Sequence, residues 1–303
     1  MGLFDRAFHQ KIKQLEDNEE GMNLAKETSD KAIEVIKELS GNSLDSGAKL
    51  ADDLIVFSNA SGGTGTSTIL SNVAYTATQK GLKTIVIDLN ILCPVQHTFL
   101  NISQELQKDD LVSYLLGKST IADSIDSTND INILFANNRT LMDQINCNEK
   151  LAIDNLNILI QRCRQFYDII LVDCPMRVDN LLENTMLYQA DAIYIVWDEG
   201  APSIINTEKL RRNMAATGID SFTKMRVILN KRTSLHYSDY PLKKLNLELI
   251  EVLPFDIDII DNSQRGRIFC EKGSSNSKNA LEFAAKIDTL TEKIMHIGGY
   301  VDK

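Results

Sequence analysis

No stretch of this 303-residue chain approaches the roughly 18 consecutive apolar residues of a membrane-crossing helix, and its N-terminus lacks the apolar segment of a secretory signal. The expected location is cytoplasmic. Cysteine is sparse: Cys93, Cys147, Cys163, Cys174 and Cys270 are scattered without a C-x-x-C pair, which argues against a zinc site and for reduced structural thiols. His9, His97, His236 and His296 stand isolated in sequence, so surface or core roles are expected of them. Basic residues are in deficit, 32 Lys and Arg against 42 Asp and Glu, and the net charge of −10 argues against broad binding to nucleic acid or anionic lipid. There is no internal repeat and no low-complexity segment. The apolar fraction of 43% and charged fraction of 24% are those of a globular protein, and the length suits one α/β domain plus an extension.

The most telling absence is a single lysine. A phosphate-binding loop reads G-x-x-x-x-G-K-[ST] between a strand and a helix; its backbone N–H groups wrap phosphates and its lysine reaches the β- and γ-phosphates. Here Leu54-Ile55-Val56-Phe57 enters such a loop, Gly62, Gly63 and Gly65 permit close backbone approach, and Ser67 opens a helical segment running to about Lys80. The lysine slot holds Thr66 and the first glycine slot holds Ala60. The next basic residues along the chain are Lys80 and Lys83, and a helix from Thr66 places Lys80 roughly 20 Å away, so no nearby cation can substitute.

Two strand-like runs rich in β-branched residues end in acids: Gly81-Leu82-Lys83-Thr84-Ile85-Val86-Ile87-Asp88-Leu89-Asn90, and Tyr167-Asp168-Ile169-Ile170-Leu171-Val172-Asp173-Cys174-Pro175. Further runs at Ile131–Ala136, Ala192–Trp197 and Met225–Leu229 alternate with helical segments at Lys150–Phe166, Ser203–Ala215 and Asn279–Met295; the last carries Leu281, Phe283, Ala284, Ile287, Leu290 and Ile294 as its apolar positions. Continuous apolar strands between helices imply a doubly wound, mostly parallel α/β sheet of P-loop NTPase type, covered on both faces. Ligands in such sheets bind at the carboxyl ends of strands, where the glycine loop, Asp88 and Asp173 would meet. An acid at a strand end also caps an ordinary turn, but two of them beside a glycine loop favour the functional reading.

These blocks resemble, in order, the ParA/MinD family of deviant Walker A ATPases from about Asp53 to Ile294. The family's K-G-G-x-G-K-[ST]-T maps onto Ser61-Gly62-Gly63-Thr64-Gly65-Thr66-Ser67-Thr68, so Ser61 stands at the signature-lysine position and Thr66 at the general one. The resemblance implies that Gly62 to Thr68 hold phosphates, that Ser67 and, through water, Asp173 hold magnesium, and that Asp88 lies near the γ-phosphate. Asn90 replaces the second acid, the one associated with the attacking water. Val227-Ile228-Leu229-Asn230-Lys231 and Leu253-Pro254-Phe255-Asp256 with Asn262–Gly266 resemble the segments that read the base, which makes Asn230 and Pro254 its candidate contacts. Asn followed by Lys after a strand is also ordinary turn chemistry. The cofactor implied is ATP or ADP with magnesium, and the assembly implied is a homodimer. Gly62–Thr68 further resembles the CpaE/TadZ pilus-positioning branch, in which a small residue often replaces the P-loop lysine.

Residues 1–50 lie outside the resemblance and residues 51–303 form the expected nucleotide domain. Leu3, Phe4, Ala7, Phe8, Ile12 and Leu15 make one helical stripe, and Met22, Ala25, Ala32, Ile33, Ile36 and Leu39 a second; Ser40–Gly47 reads as a linker. The expected fate of these amphipathic helices is packing onto the domain, a second subunit or a protein partner, ahead of a peripheral membrane contact that Phe4, Phe8, Arg6, Lys11 and Lys13 would suit. Three functions stay open: a positioning or scaffolding pseudo-ATPase, a slow ATPase that borrows a cation in trans or from Arg265, and a structural protein with a relic loop.

Overall fold

The computed structural model describes residues 54–59, 61–103, 109–137, 145–175, 180–233, 239–271 and 277–297. The two N-terminal stripes, their linker and Ala60 lie outside these described residues. In chain order the elements are β1 (Leu54–Asn59), α1 (Thr66–Gln79), β2 (Thr84–Asp88), α2 (Gln96–Phe99), α3 (Leu111–Leu115), α4 (Ile121–Ser124), β3 (Asp126–Thr128), β4 (Ile131–Leu134), α5 (Glu149–Phe166) and β5 (Ile169–Asp173). They continue with α6 (Leu181–Gln189), β6 (Ala192–Trp197), α7 (Ala201–Ala216), α8 (Ser221–Lys224), β7 (Met225–Arg232), α9 (Tyr240–Leu245), β8 (Glu248–Pro254), α10 (Ile257–Gln264) and α11 (Lys278–Ile297).

One eight-stranded sheet runs β3-β4-β2-β5-β1-β6-β7-β8. Every pairing is parallel except the edge pair β3–β4. Side chains of a strand alternate between faces, and in β1 both faces are buried: Leu54 and Val56 join a core with Leu156 and Ile160 of α5, while Ile55 and Phe57 join another with Ile69 and Val73 of α1 and Ile287 of α11. That double burial is why the strands read as unbroken apolar runs. Each such side chain is worth about 1.5 to 3 kcal/mol when fully buried, so the central strands are the least deformable part of the molecule and hold the loops at their ends in place.

The last helix departs from the expected stripe. Ala280, Phe283, Ile287, Leu290 and Ile294 are buried at spacings of three and four, whereas Leu281 falls outside that spacing and is 59% exposed. Polar bonds also tie α11 down: Lys286 Nζ and Lys293 Nζ lie 2.8 and 2.9 Å from the carboxylate of the buried Glu251 in β8, and Lys80, the C-cap of α1, pairs with Asp288 and Glu292 at 2.8 and 3.0 Å. Burial pushes Glu251 up, but Lys286, Lys293 and the Val252 N–H together pull it further down, to a net position below the ordinary 4.5. A depressed folded value means that its stabilisation is present above about 4.5 and is lost as pH falls through the folded value. Glu251→Gln is expected to destabilise the protein by about 1–3 kcal/mol at neutral pH. In chemical denaturation, the gap between variant and parent should close on acidification; a gap independent of pH would refute the ion-pair account.

Candidate nucleotide site at the carboxyl ends of the strands

Five parallel strands deliver the expected residues to one end of the sheet. Beyond β1 the chain makes a turn in which Gly63 and Gly65 take φ of +80° and +92°, conformations that L side chains rarely adopt. Gly65 caps α1 without any side-chain bond, and the first turn of α1 carries no acid, so its N–H groups are available to an anion. The helix begins at Thr66, one residue earlier than the serine marked by the sequence. Thr66 is 6% exposed and its hydroxyl lies 3.3 Å from that of the fully buried Thr64, so two short hydroxyl side chains meet at the lysine position. Ser61, at the signature position, shares a 2.9 Å hydrogen bond with Ser203 of α7 and is tied within its own chain.

The loop is braced from β7. Asn230 Nδ2 donates to the Thr64 carbonyl at 2.7 Å, and Lys231 Nζ donates to the Gly63 carbonyl. Lys231 itself takes a left-handed φ of +57°, which turns the chain at the strand end. This corrects the expectation that no cation stands near the loop: separation along the chain excluded Lys80, which is engaged by α11, but Lys231 arrives through the sheet from a position 165 residues after Thr66 (231 − 66). Asn230 holds the loop through its amide N–H. Pro254 ends β8 opposite Arg232 of β7. Arg265, offered as a cation for the site, is paired with Asp261 at 3.0 Å and largely exposed.

Two buried acids form the floor. Asp88 and Asp173 are register partners on β2 and β5. Asp88 accepts N–H bonds from Asn90 at 3.0 Å, Val95 at 2.8 Å and Gln96 at 2.9 Å. Burial and then the charge of Asp173 push it up to about 8 against the pull of those three bonds. Asp173 is also raised by burial, with hydrogen bonds from the Ser67 and Gln96 side chains working the other way. Adjacent buried carboxylates resist joint ionisation, and a cation at this place relieves the conflict. Ser67, Asp173 and the buried Gln96 form an oxygen-rich set, with Gln96 Oε1 lacking a hydrogen-bond partner. That donor chemistry fits magnesium, which uses one or two carboxylates together with phosphate oxygens; among the described residues no group of three or more His, Cys, Asp or Glu forms a dedicated metal cage.

Gln96 was not singled out by sequence reasoning, because an isolated glutamine in a connecting segment carries no motif. The Asn90 N–H serves Asp88 and its carbonyl accepts from Cys93, which closes the turn after β2. Nearby, a cleft of about 420 Å³ separates His97, Thr98, Asn101 and Ile102 from Gln264, Arg265 and Gly266, and no residue of the glycine loop lines it. Gly266 (φ +66°) is required there, since a Cβ would lie 2.8 Å from the Thr98 carbonyl. His97 stacks on Phe135 with centroids 5.0 Å apart, and burial lowers its pKa.

Comparison with known proteins agrees with this geometry. Residues 52–225 match the AAA_31 family, described as an AAA domain. An uncharacterised ATP-binding protein of Methanocaldococcus jannaschii is 27% identical over 68% of this chain and 74% of its own. The septum site-determining protein MinD of Thermotoga maritima is 23% identical over 78% of this chain and 88% of its own. Among solved structures, MinD of Pyrococcus horikoshii in complex with Mg-ADP superposes with a TM-score of 0.66 at 19% identity, covering 81% of this chain and 97% of that one. The family match spans more than half of the sequence and takes in the glycine loop, both strand-end acids and the central strands, and the chain belongs to the ParA/MinD family of P-loop ATPases.

Proposed function

We propose that this protein is a ParA/MinD-like positioning or scaffolding factor that binds magnesium and adenine nucleotide weakly and hydrolyses ATP at or near background. The observation that carries this reading is the retention of the Ser67, Asp88 and Asp173 cluster under a glycine loop whose lysine slot holds Thr66. Backbone amides and a metal site supply binding, while the charge that stabilises a transferring phosphoryl group is depleted. The Pyrococcus relative holds Mg-ADP and the Methanocaldococcus relative is described as ATP-binding, which supports adenine nucleotide as the ligand. Asn230 and Pro254 are proposed to border the base, Gly62 to Thr68 the phosphates.

Within the family, the Gly62–Thr68 pattern favours the CpaE/TadZ branch and service to a pilus or secretion machine. Residues 51–303 are proposed as the nucleotide domain, and residues 1–50 as the element that docks a second subunit or a protein partner. The net charge of −10 sets nucleic acid aside as partner, and spatial organisation is supported by the septum site-determining relative.

A thermal-shift assay tests the ligand. Millimolar Mg-ADP is expected to raise Tm by a few degrees, about what tenfold saturation gives for a domain of this size, while adenosine does not. No shift with Mg-ADP or Mg-ATP would establish the loop as a relic. A slow ATPase is the second reading, favoured by Lys231 at the Gly63 carbonyl, which supplies a cation in cis where one in trans had been expected.

A further inference from the structure

Gln96 touches every part of the acid floor. Its main-chain N–H donates to Asp88 at 2.9 Å; its side-chain Nε2 donates to Asp173 at 2.6 Å and to the Ser67 carbonyl at 3.2 Å. It is fully buried at the start of α2, so water does not compensate these groups. One atom is left over: Oε1 is buried and has no hydrogen-bond partner. An unsatisfied buried amide oxygen costs about 1–3 kcal/mol, and native proteins leave few of them, so an orphan at a ligand site marks where a donor belongs.

The surroundings specify that donor. A hydroxyl, two carboxylates and an amide oxygen form an all-oxygen set, which suits a hard divalent cation that keeps part of its water shell. Water bound to such a cation has protons to give, and Oε1 has only lone pairs.

We propose that Gln96 holds the water shell of the divalent cation at this site, its side-chain oxygen accepting from metal-bound water while its main chain keeps Asp88 oriented. The proposal rests on the nucleotide-binding reading above and adds to it a residue that couples metal to nucleotide. The neutral Nε2 donor of Gln96 engages Asp173, so one amide group would join the acid to the water shell through its other atom.

The test uses the full chain, ADP as the probe, and Mg²⁺ or Mn²⁺ against EDTA. Wild type is expected to bind ADP more tightly with metal than without. Gln96→Leu is expected to reduce that metal enhancement at least tenfold while ADP affinity in EDTA stays within twofold. Gln96→Glu, which keeps an acceptor oxygen, is expected to retain the enhancement and to show a larger rise in Tm on adding Mg²⁺ than wild type. Equal loss of ADP affinity with and without metal in Gln96→Leu would make Gln96 a structural brace and overturn the proposal. So would wild-type ADP binding indifferent to metal, with the nucleotide reading left standing. Failure of wild type to bind ADP at all would overturn both. If Gln96→Leu does not fold, the proposal is decided by Gln96→Glu: absence of a metal-dependent Tm rise refutes it.

Discussion

Steady-state phosphate release by the full chain is expected to sit about a hundred- to a thousandfold below that of lysine-bearing members of its family. Loss of one strong oxyanion-type contact typically costs about that much, and here Ser61, Thr66 and Asn90 stand where the family resemblance implies three groups that bear on the γ-phosphate. The structure sharpens the expectation at two of them. The Ser61 hydroxyl is bonded to Ser203 of the same chain, and the Thr66 hydroxyl meets that of Thr64, so neither position presents a long cationic arm to a phosphate. Thr66→Lys is therefore expected to raise turnover only in part, since Ser61 and Asn90 remain. Lys231 is the alternative source of charge: turnover equal to that of lysine-bearing relatives, abolished by Lys231→Gln, would show that a cation from β7 suffices and would overturn the pseudo-ATPase reading.

Gly65→Ala is expected to lower stability by about 2–3 kcal/mol and to weaken Mg-ADP binding at least tenfold. An alanine at φ +92° carries about 1–2 kcal/mol of left-handed strain, and its Cβ would be driven into Asn230 Nδ2, displacing the amide that holds the Thr64 carbonyl. Loop shape and the start of α1 fail together, because Gly65 is both the tight turn and the helix cap. Gly62→Ala is the internal control: nothing lies within 4 Å of a Cβ there and φ is not positive, so stability should change by less than about 1 kcal/mol. Paired denaturation and binding curves check both; equal behaviour of the two variants would contradict the geometry.

Much of the architecture was legible because it rests on double burial. The runs at Ile85–Ile87, Ile169–Val172 and Ala192–Trp197 are apolar on both faces, and no polar alternation confuses them with surface strands. β3, Asp126–Thr128, escaped notice because three polar residues at a sheet edge carry no periodicity. β8 was seen only from Leu253 onward, although it starts at Glu248, because Glu251 interrupts the apolar pattern; two lysines of α11 make that burial tolerable. Leu281 was placed on the wrong side of α11 because apolar identity alone does not set the phase of a stripe.

The site divides the same way. That the glycine loop with Ser67 would follow β1 and that Asp88 and Asp173 would meet at neighbouring strand ends was legible from residue type and spacing. Lys231 and Gln96 were not, because their positions at the loop and the acids follow from sheet order and from packing after β2 rather than from local sequence. Asn230 was legible as a strand-end residue, but its bond to the Thr64 carbonyl was not.

Calorimetric titration of the full chain with ATP and magnesium tests the central claim most directly. Saturable binding is expected, without the continuing heat of turnover, and Asp173→Ala should weaken it at least tenfold by removing the carboxylate that Ser67 and Gln96 surround. Absence of binding heat at millimolar ATP, or binding that Asp173→Ala leaves unchanged, would contradict the account.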